Sequence, residues 1–138
     1  MSVRSRVRGE RGQSAAELAV FLPVLLVILY VVIQFGALYM QYQEVSSATS
    51  EGARRASTMA GIAEPGRTSA ITSTVRGSAS VGATTTFDST GLAVSVSSTW
   101  TPGSPVTVTS TYPASVTILG VTLFSGNLTT KRTVRVLS

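Results

Sequence analysis

The sequence predicts an α+β protein, in which a long N-terminal transmembrane α-helix carries a small antiparallel β-sheet packed on its distal half. Residues 18–40 form a nearly unbroken apolar run. As a helix this run would be about 34 Å long, enough to cross a hydrocarbon core of about 30 Å. After residue 66 the chain is rich in Ser, Thr and Val, with an alternation of apolar and polar residues that is typical of short strands. A chain of 138 residues has room for this helix and one small domain.

The apolar run is expected to span the membrane from Leu18 to Met40. Four arginines lie within residues 4–11, whereas Arg54 and Arg55 lie farther away on the other side. The positive-inside rule then predicts a single-pass protein of the cytoplasmic (inner) membrane, with a cytoplasmic N-terminus and an extracytoplasmic C-terminal domain. A conventional cleaved signal peptide has an apolar core of only about 7 to 15 residues, so this longer run does not fit one well.

The chain is expected to divide into four parts. The predicted helix begins near Ser14 and ends near Gly61, because a Glu-Pro-Gly sequence follows at residues 64–66. The four parts are a basic leader peptide that is cleaved (1–12), a transmembrane and assembly helix (13–40), an extension of that helix outside the membrane (41–62) and a β-rich globular domain (63–138).

Two residues interrupt the apolar helix, and a stripe of small residues continues it. Pro23 removes one backbone hydrogen bond and favours a kink, which membrane helices tolerate. Gln34 is expected either to bond across helices or to face its own backbone. Beyond the membrane, small and apolar residues recur at spacings of three and four, so this face is expected to receive the C-terminal domain or a neighbouring copy. The stripe consists of Val45, Ala48, Gly52, Ala56 and Met59.

The remaining pattern predicts an antiparallel sheet. Residues 92–112 form a hairpin around a Pro-Gly turn, with Trp100 and Tyr112 in the core of the sheet. Residues 68–76 fit either a short helix or a loop. Two further strands are expected near residues 116–124 and 128–136. The last one carries Lys131, Arg132 and Arg135, which either protect an edge strand or contact an acidic partner.

The composition argues against an enzyme. The absence of His and Cys excludes His-based triads, thiol nucleophiles and the usual zinc sites. The acids are scattered, so no catalytic residue, metal site, cofactor or small-molecule substrate is expected. The basic residues do not form one face interleaved with aromatics, so no nucleic-acid partner is expected either. The six acids are Glu10, Glu17, Glu44, Glu51, Glu64 and Asp88.

The order of a basic leader, Gly12, four residues, Glu17 and an apolar run resembles the class III signal of type IV pilins and pseudopilins. In that family a prepilin peptidase cuts after the glycine, on the cytoplasmic side of the membrane. The resemblance therefore places the processing site at Gly12 and Gln13, and it leaves Glu17 as the fifth residue of the mature chain.

The sequence resembles more narrowly the TadE-like family, the minor pilins or pseudopilins of the Tad (tight adherence) pilus. The similarity is carried by residues 11–19, Leu22-Pro23, residues 34–36 and residues 51–54, and more weakly by the C-terminal strands. It implies a protein that assembles through its apolar helix and displays its sheet outside. The implied partners are a prepilin peptidase, the other Tad pilin subunits and the cytoplasmic membrane. Leu18 departs from the family, whose members often carry Phe or Tyr after the signal glutamate.

Two alternatives remain open. The chain could be an uncleaved single-pass anchor that presents a small extracytoplasmic binding domain, or a pseudopilin of a type II-like secretion system. The mass of the mature chain separates the first alternative from a processed pilin, because only processing removes residues 1–12.

Glu17 has two interpretations. As a plain charge in the first turn of the mature helix, it would favour the helix dipole. Alternatively it pairs with the α-amino group that cleavage creates on Gln13 of a neighbouring subunit. An ionised acid at the centre of a membrane helix costs about 2.5 to 3.5 kcal/mol. A charge pair at about 4 Å and an effective dielectric near 20 gains about 4 kcal/mol before desolvation. Such pairing would set the axial register between subunits.

Overall fold

The computed structural model describes residues 6–82, 88–118 and 120–137, and the side chains among them except those of residues 6–11 and 80–82. The first five residues of the predicted leader lie outside the described residues. The described part confirms the predicted α+β fold class, since a long helix precedes a small antiparallel sheet. The elements are α1 (Arg6–Ser57), α2 (Gly66–Gly82), a short 3-10 turn (Ser89–Gly91), β1 (Ala93–Ser98), β2 (Pro105–Ile118) and β3 (Val121–Arg135).

The chain forms two compact units, Met1–Gly36 and Ala37–Ser138. The described part of the first unit is helical and belongs to α1, which continues through Pro23. Within it, the Gln34 side chain donates a hydrogen bond to Tyr30 Oη at 2.8 Å. This bond to a side chain one turn earlier on the same helix matches neither of the two expectations for Gln34.

The second unit contains the C-terminal part of α1, α2 and the sheet. Helix α1 ends at Ser57, earlier than the expected end near Gly61. The hydroxyl groups of Ser57 and Thr58 donate to the carbonyl oxygens of Arg54 and Arg55, at 2.8 and 3.0 Å. Hydroxyl side chains that bond to nearby backbone in this way compete with the helical pattern, which accounts for the earlier end.

The predicted stripe is buried within the second unit, although its last residue, Met59, lies just beyond the end of α1. Val45 and Ala56 have no exposed surface, and Ala48 and Met59 are almost fully covered. At Gly52, an added Cβ would overlap the Val75 side chain and approach Ile71, both of which lie on α2. The stripe therefore receives the chain's own C-terminal domain, the first of the two expected occupants.

Helix α2 occupies residues that the sequence left undecided between helix and loop. Ile71, Val75 and Ala79 recur every four residues and are fully buried. That spacing puts one apolar face toward the core, while the Ser, Thr and Arg residues between them stay largely in solvent. The helix thus depends on tertiary burial for its stability, since its own composition is poor in strong helix formers.

The sheet has three antiparallel strands in the order β1-β2-β3. The predicted hairpin is present, and its register pairs Ala93 with Thr111 and Ser98 with Val106. The strand expected near 128–136 is present, as the second part of β3 (Val121–Arg135), but the separate strand expected near 116–124 is wrong. Strand β2 extends to Ile118, and the chain reverses around Gly120, whose φ of 82° suits glycine. Apolar residues on both sides of this reversal concealed the turn in the sequence.

Alternate residues of β2 form the sheet side of the core. Val106 and Val108 are fully buried, and Tyr112 is 8% exposed. Trp100 is half-buried and packs at the edge of this core, with the Arg67 guanidinium 4.3 Å from the centre of its ring. The prediction that Trp100 and Tyr112 belong to the core holds fully for Tyr112 and partly for Trp100.

The close approach at Gly52 gives a stability prediction. We expect Gly52→Ala to destabilise the second unit by about 1 to 3 kcal/mol, because the new methyl group meets a stiff β-branched side chain in a packed core. Gly77→Ala is the matched control, since an added Cβ there meets nothing within 4 Å and alanine favours a helix. Thermal unfolding of the full chain in detergent should show a lower Tm for Gly52→Ala only. Equal Tm values for the two variants would contradict the packing described.

Two buried hydroxyl groups give a second stability prediction. Ser110 and Thr130 face each other in the β2–β3 register, and neither hydroxyl has a hydrogen-bond partner among the described residues. Leaving a buried polar group unpaired costs about 1 to 3 kcal/mol. Thr130→Val removes the hydroxyl at constant shape and should raise the free energy of unfolding by about 1 kcal/mol. Thr129→Val, on the exposed face, should not. A lower Tm for Thr130→Val would mean that its hydroxyl is paired.

Candidate processing and assembly segment

The expected processing site lies inside α1. Gly12 and Gln13 both have helical backbone, with no break at the bond between them. An ideal Cβ built on Gly12 meets nothing within 4 Å. Glycine in a helix interior costs roughly 0.5 to 1 kcal/mol relative to alanine. The described part of the chain therefore contains no packing reason for a glycine at residue 12.

Glu17 lies one helical turn after Gln13 on the same face of α1. The Gln13 side-chain amide donates to Glu17 Oε1 at 3.4 Å, and both residues are exposed. This is a long bond between exposed groups, so it contributes little to stability. No Lys or Arg among the described side chains forms an ion pair with Glu17. The carboxylate is thus available to a group outside its own chain.

The side chains that follow Glu17 form an apolar surface. Leu18 is 64% exposed and Phe21 is 68% exposed, and Met40 at the other expected end is also exposed. Within this helix the most apolar stretch has no buried residue, although its length and composition suffice to cross a membrane. A single exposed apolar helix of this kind fits a membrane anchor.

The charged residues at the outer end of α1 form a solvated surface. Arg54 donates two hydrogen bonds to the Glu51 carboxylate, at 2.6 and 3.0 Å. These bonds lower the pKa of the Glu51 carboxyl and raise the pKa of Arg54. Both groups are exposed to solvent, where such pairs contribute little to stability.

The basic residues of β3 lie along the edge of the sheet. Lys131, Arg132 and Arg135 are exposed, and Arg132 Nη2 donates to Ser46 Oγ of α1 at 3.2 Å. Charges on an edge strand discourage pairing with other chains. The position of β3 at the edge of the sheet therefore supports the first of the two interpretations given to these residues.

A local cap orders the segment before β1. The Asp88 carboxylate accepts hydrogen bonds from the backbone amide and the hydroxyl of Thr90, at 2.9 and 2.6 Å. These bonds lower the pKa of the Asp88 carboxyl. Asp88 thus has a structural role at the start of the short 3-10 turn. Among the described residues, no group of three or more His, Cys, Asp or Glu side chains could hold a metal ion.

The fold and the exposed helix define a class, namely small α+β proteins with one N-terminal helix fit to anchor them in a membrane. Residues 12–54 match the model of the TadE-like protein family. This match confirms the resemblance seen in the sequence, and it contains Gly12, Gln13, Glu17 and the apolar run. It indicates a protein associated with the Tad pilus. No curated protein and no solved structure matches the chain.

Proposed function

We propose that the protein is a minor pilin or pseudopilin of a Tad-type pilus, cleaved by a prepilin peptidase between Gly12 and Gln13 and assembled through α1. The observation that carries this proposal is the family match over residues 12–54, because it spans the processing motif, Glu17 and the whole apolar surface. The proposed role is non-enzymatic. It requires no cofactor, nucleic acid or small-molecule substrate.

The surroundings of Gly12 support processing at this bond. The glycine lowers the stability of the helix, and no neighbouring atom within the described part of the chain lies close enough to require it. Since no contact within the described part of the chain requires a glycine here, recognition of Gly12 by an external peptidase would explain its presence. Because the bond lies in helical backbone, the peptidase would have to unwind the helix locally, which a glycine makes easier.

The apolar surface of α1 supports assembly by helix packing. In a lipid environment, helices associate through close packing and small residues, because lipid is as apolar as the side chains themselves. Gly36 lies in this helix, and an added Cβ there meets nothing within 4 Å. It thus leaves room for a neighbouring helix to approach. Pilin subunits of the same system are the proposed neighbours.

Glu17 is proposed to set the register of that packing. After cleavage, Gln13 would carry a protonated α-amino group at neutral pH. The Glu17 carboxylate has no cationic partner in its own described chain and would otherwise be costly to bury among helices. Pairing with the α-amino group of a neighbour offsets that cost at only one axial stagger. The pair would therefore align the subunits.

The proposed location is the cytoplasmic membrane, with the N-terminus in the cytoplasm and the C-terminal domain on the extracytoplasmic side. Part of the protein population would then enter the pilus. The test is fractionation of cells that carry or lack the prepilin peptidase. We expect the protein in the sheared pilus fraction only when the peptidase is present, and in the membrane fraction in both strains. Equal recovery with pili in both strains would overturn the proposal.

The same fractions discriminate the alternatives. An uncleaved anchor stays in the membrane with its leader in both strains. A pseudopilin of a type II-like secretion system would copurify with secretion components instead of Tad pilins. Cross-linking in the native membrane, followed by identification of the attached subunits, separates these two outcomes.

A further inference from the structure

Two polar side chains lie in the middle of the apolar surface of α1. The apolar run 18–40 has its midpoint at Leu29, and Tyr30 and Gln34 follow it closely. Tyrosines of membrane proteins are enriched at the two membrane interfaces, where the hydroxyl group reaches water. Tyr30 precedes Met40, the expected outer boundary, by about 15 Å along the helix, which is farther than its side chain extends. A role as an interfacial anchor therefore does not explain Tyr30.

The two side chains satisfy each other only in part. Gln34 Nε2 donates a hydrogen bond to Tyr30 Oη at 2.8 Å, and neither side chain makes another hydrogen bond within the described part of the chain. The Tyr30 hydroxyl proton, the Gln34 amide oxygen and one amide N–H are therefore left over. Tyr30 is 42% exposed, so its side chain is not enclosed by its own chain. Lipid tails offer these groups no partner, and leaving them unpaired in an apolar medium is unfavourable.

The groups left over are complementary to the same groups of an identical chain. Each chain offers one hydroxyl donor and one amide acceptor, and both lie at about the same height because Gln34 reaches back along the helix to Tyr30. A two-fold axis brings one surface patch onto itself, so the donor of each copy meets the acceptor of the other. A helix with a purely apolar face would leave both groups unpaired. A second copy of this chain is therefore the partner that the pair fits.

The residues around the pair continue the same face of α1. Pro23, Val27, Tyr30 and Gln34 follow one another at intervals of four, three and four residues, which is the spacing of a seam between two packed helices. Val27 is 43% exposed, so this face is open to a neighbouring helix. Glu17 precedes Tyr30 by about 3.6 turns and therefore lies on another side of the helix. A contact along this face leaves Glu17 free for the pairing proposed above.

We propose that α1 forms a parallel two-fold dimer with a second copy of this chain in the membrane, closed by a ring of hydrogen bonds. In each copy Gln34 donates to Tyr30, and the Tyr30 hydroxyl donates to the Gln34 amide oxygen of the other copy. The dimer is parallel because both copies cross the membrane in the same direction. The proposal rests on the proposed membrane anchoring, and it gives the assembly role of α1 a specific first partner.

Energy transfer between labelled copies tests the dimer. The chain has no Cys, so Leu137→Cys, at an exposed position in the C-terminal domain, accepts a donor dye in one preparation and an acceptor dye in another. Both full-length proteins are reconstituted together in vesicles of phosphatidylethanolamine and phosphatidylglycerol, and transfer is measured as the lipid-to-protein ratio is raised. Tyr30→Phe and Gln34→Leu are compared in this background with a matched control, Tyr39→Phe, which removes a hydroxyl group from the same helix near the expected outer boundary. Vesicle flotation reports separately whether the membrane holds each protein.

We expect transfer above the level of chance encounters, and we expect Tyr30→Phe and Gln34→Leu to dimerise about ten-fold more weakly, since each loses both bonds between the copies. Tyr39→Phe should dimerise like the unsubstituted helix. Transfer at the chance level, or equal dimerisation of all variants, overturns the dimer but leaves the anchor intact if the protein floats with the vesicles. A loss in only one of the two variants overturns the ring. A protein that does not float overturns the anchor and, with it, the proposed function.

Discussion

Gly12→Leu leaves the basic leader attached to nearly all of the protein in cells that cleave the wild-type chain. The physical reason is steric, because a large side chain at residue 12, next to the bond that is cut, would block the close approach of the peptidase. The substitution should not harm the fold, because a Cβ at this position meets nothing within 4 Å and leucine favours a helix by about 1 kcal/mol over glycine. Intact mass of the membrane-extracted protein measures the result. Gly12→Ala should show a smaller defect.

The matched control for Gly12→Leu is Gly36→Leu. Gly36 is also a helical glycine with open space around it, but it lies far from the expected scissile bond. We expect normal cleavage in this variant, even if its assembly is impaired. Complete cleavage of Gly12→Leu would show that the bond after Gly12 is not the site, or that the peptidase does not read this residue.

Glu17→Gln is expected to be cleaved normally but to fall at least about ten-fold in pili, relative to its level in the membrane, since ten-fold corresponds to 1.4 kcal/mol. The change removes the charge while it keeps the size of the side chain and its ability to accept a bond from Gln13. A charge pair gains about 4 kcal/mol before desolvation, so a net loss of this size is reasonable. Quantitative blotting of sheared pili and membranes provides the measurement.

Glu10→Gln is the control for charge, because Glu10 lies on the same helix and is expected to leave with the leader. It should be cleaved and assembled like the wild type. If Glu17→Gln reaches pili at wild-type levels, the register role is wrong, and the acid is better explained as a charge that favours the helix dipole.

The helix could be predicted from the sequence because its signals are local. The apolar run and the arginines before it lie in consecutive positions. The stripe from Val45 to Met59 is equally readable, since it follows the helical period and proves to be buried. Gly52 marks the limit of what the stripe predicts. A small residue in the stripe indicates close approach, but the sequence does not show that Val75 is the neighbour.

The strand boundaries and α2 were harder to predict because their signals depend on tertiary structure. The reversal around Gly120 lies between apolar residues and lacks the Pro-Gly signal of the first hairpin. The helical spacing of Ile71, Val75 and Ala79 was present, but the surrounding Ser and Thr residues weaken it. The stacking of Arg67 on Trp100 joins residues that no local pattern relates.

The central claim is that the exposed apolar helix belongs to a processed pilin subunit, and the N-terminal sequence of the protein from its native membranes and pili tests it most directly. A mature chain that begins Gln13-Ser14-Ala15, with Glu17 as its fifth residue, is the predicted result. A chain that retains residues 1–12 in both fractions, or that begins at any residue other than Gln13, would contradict the claim.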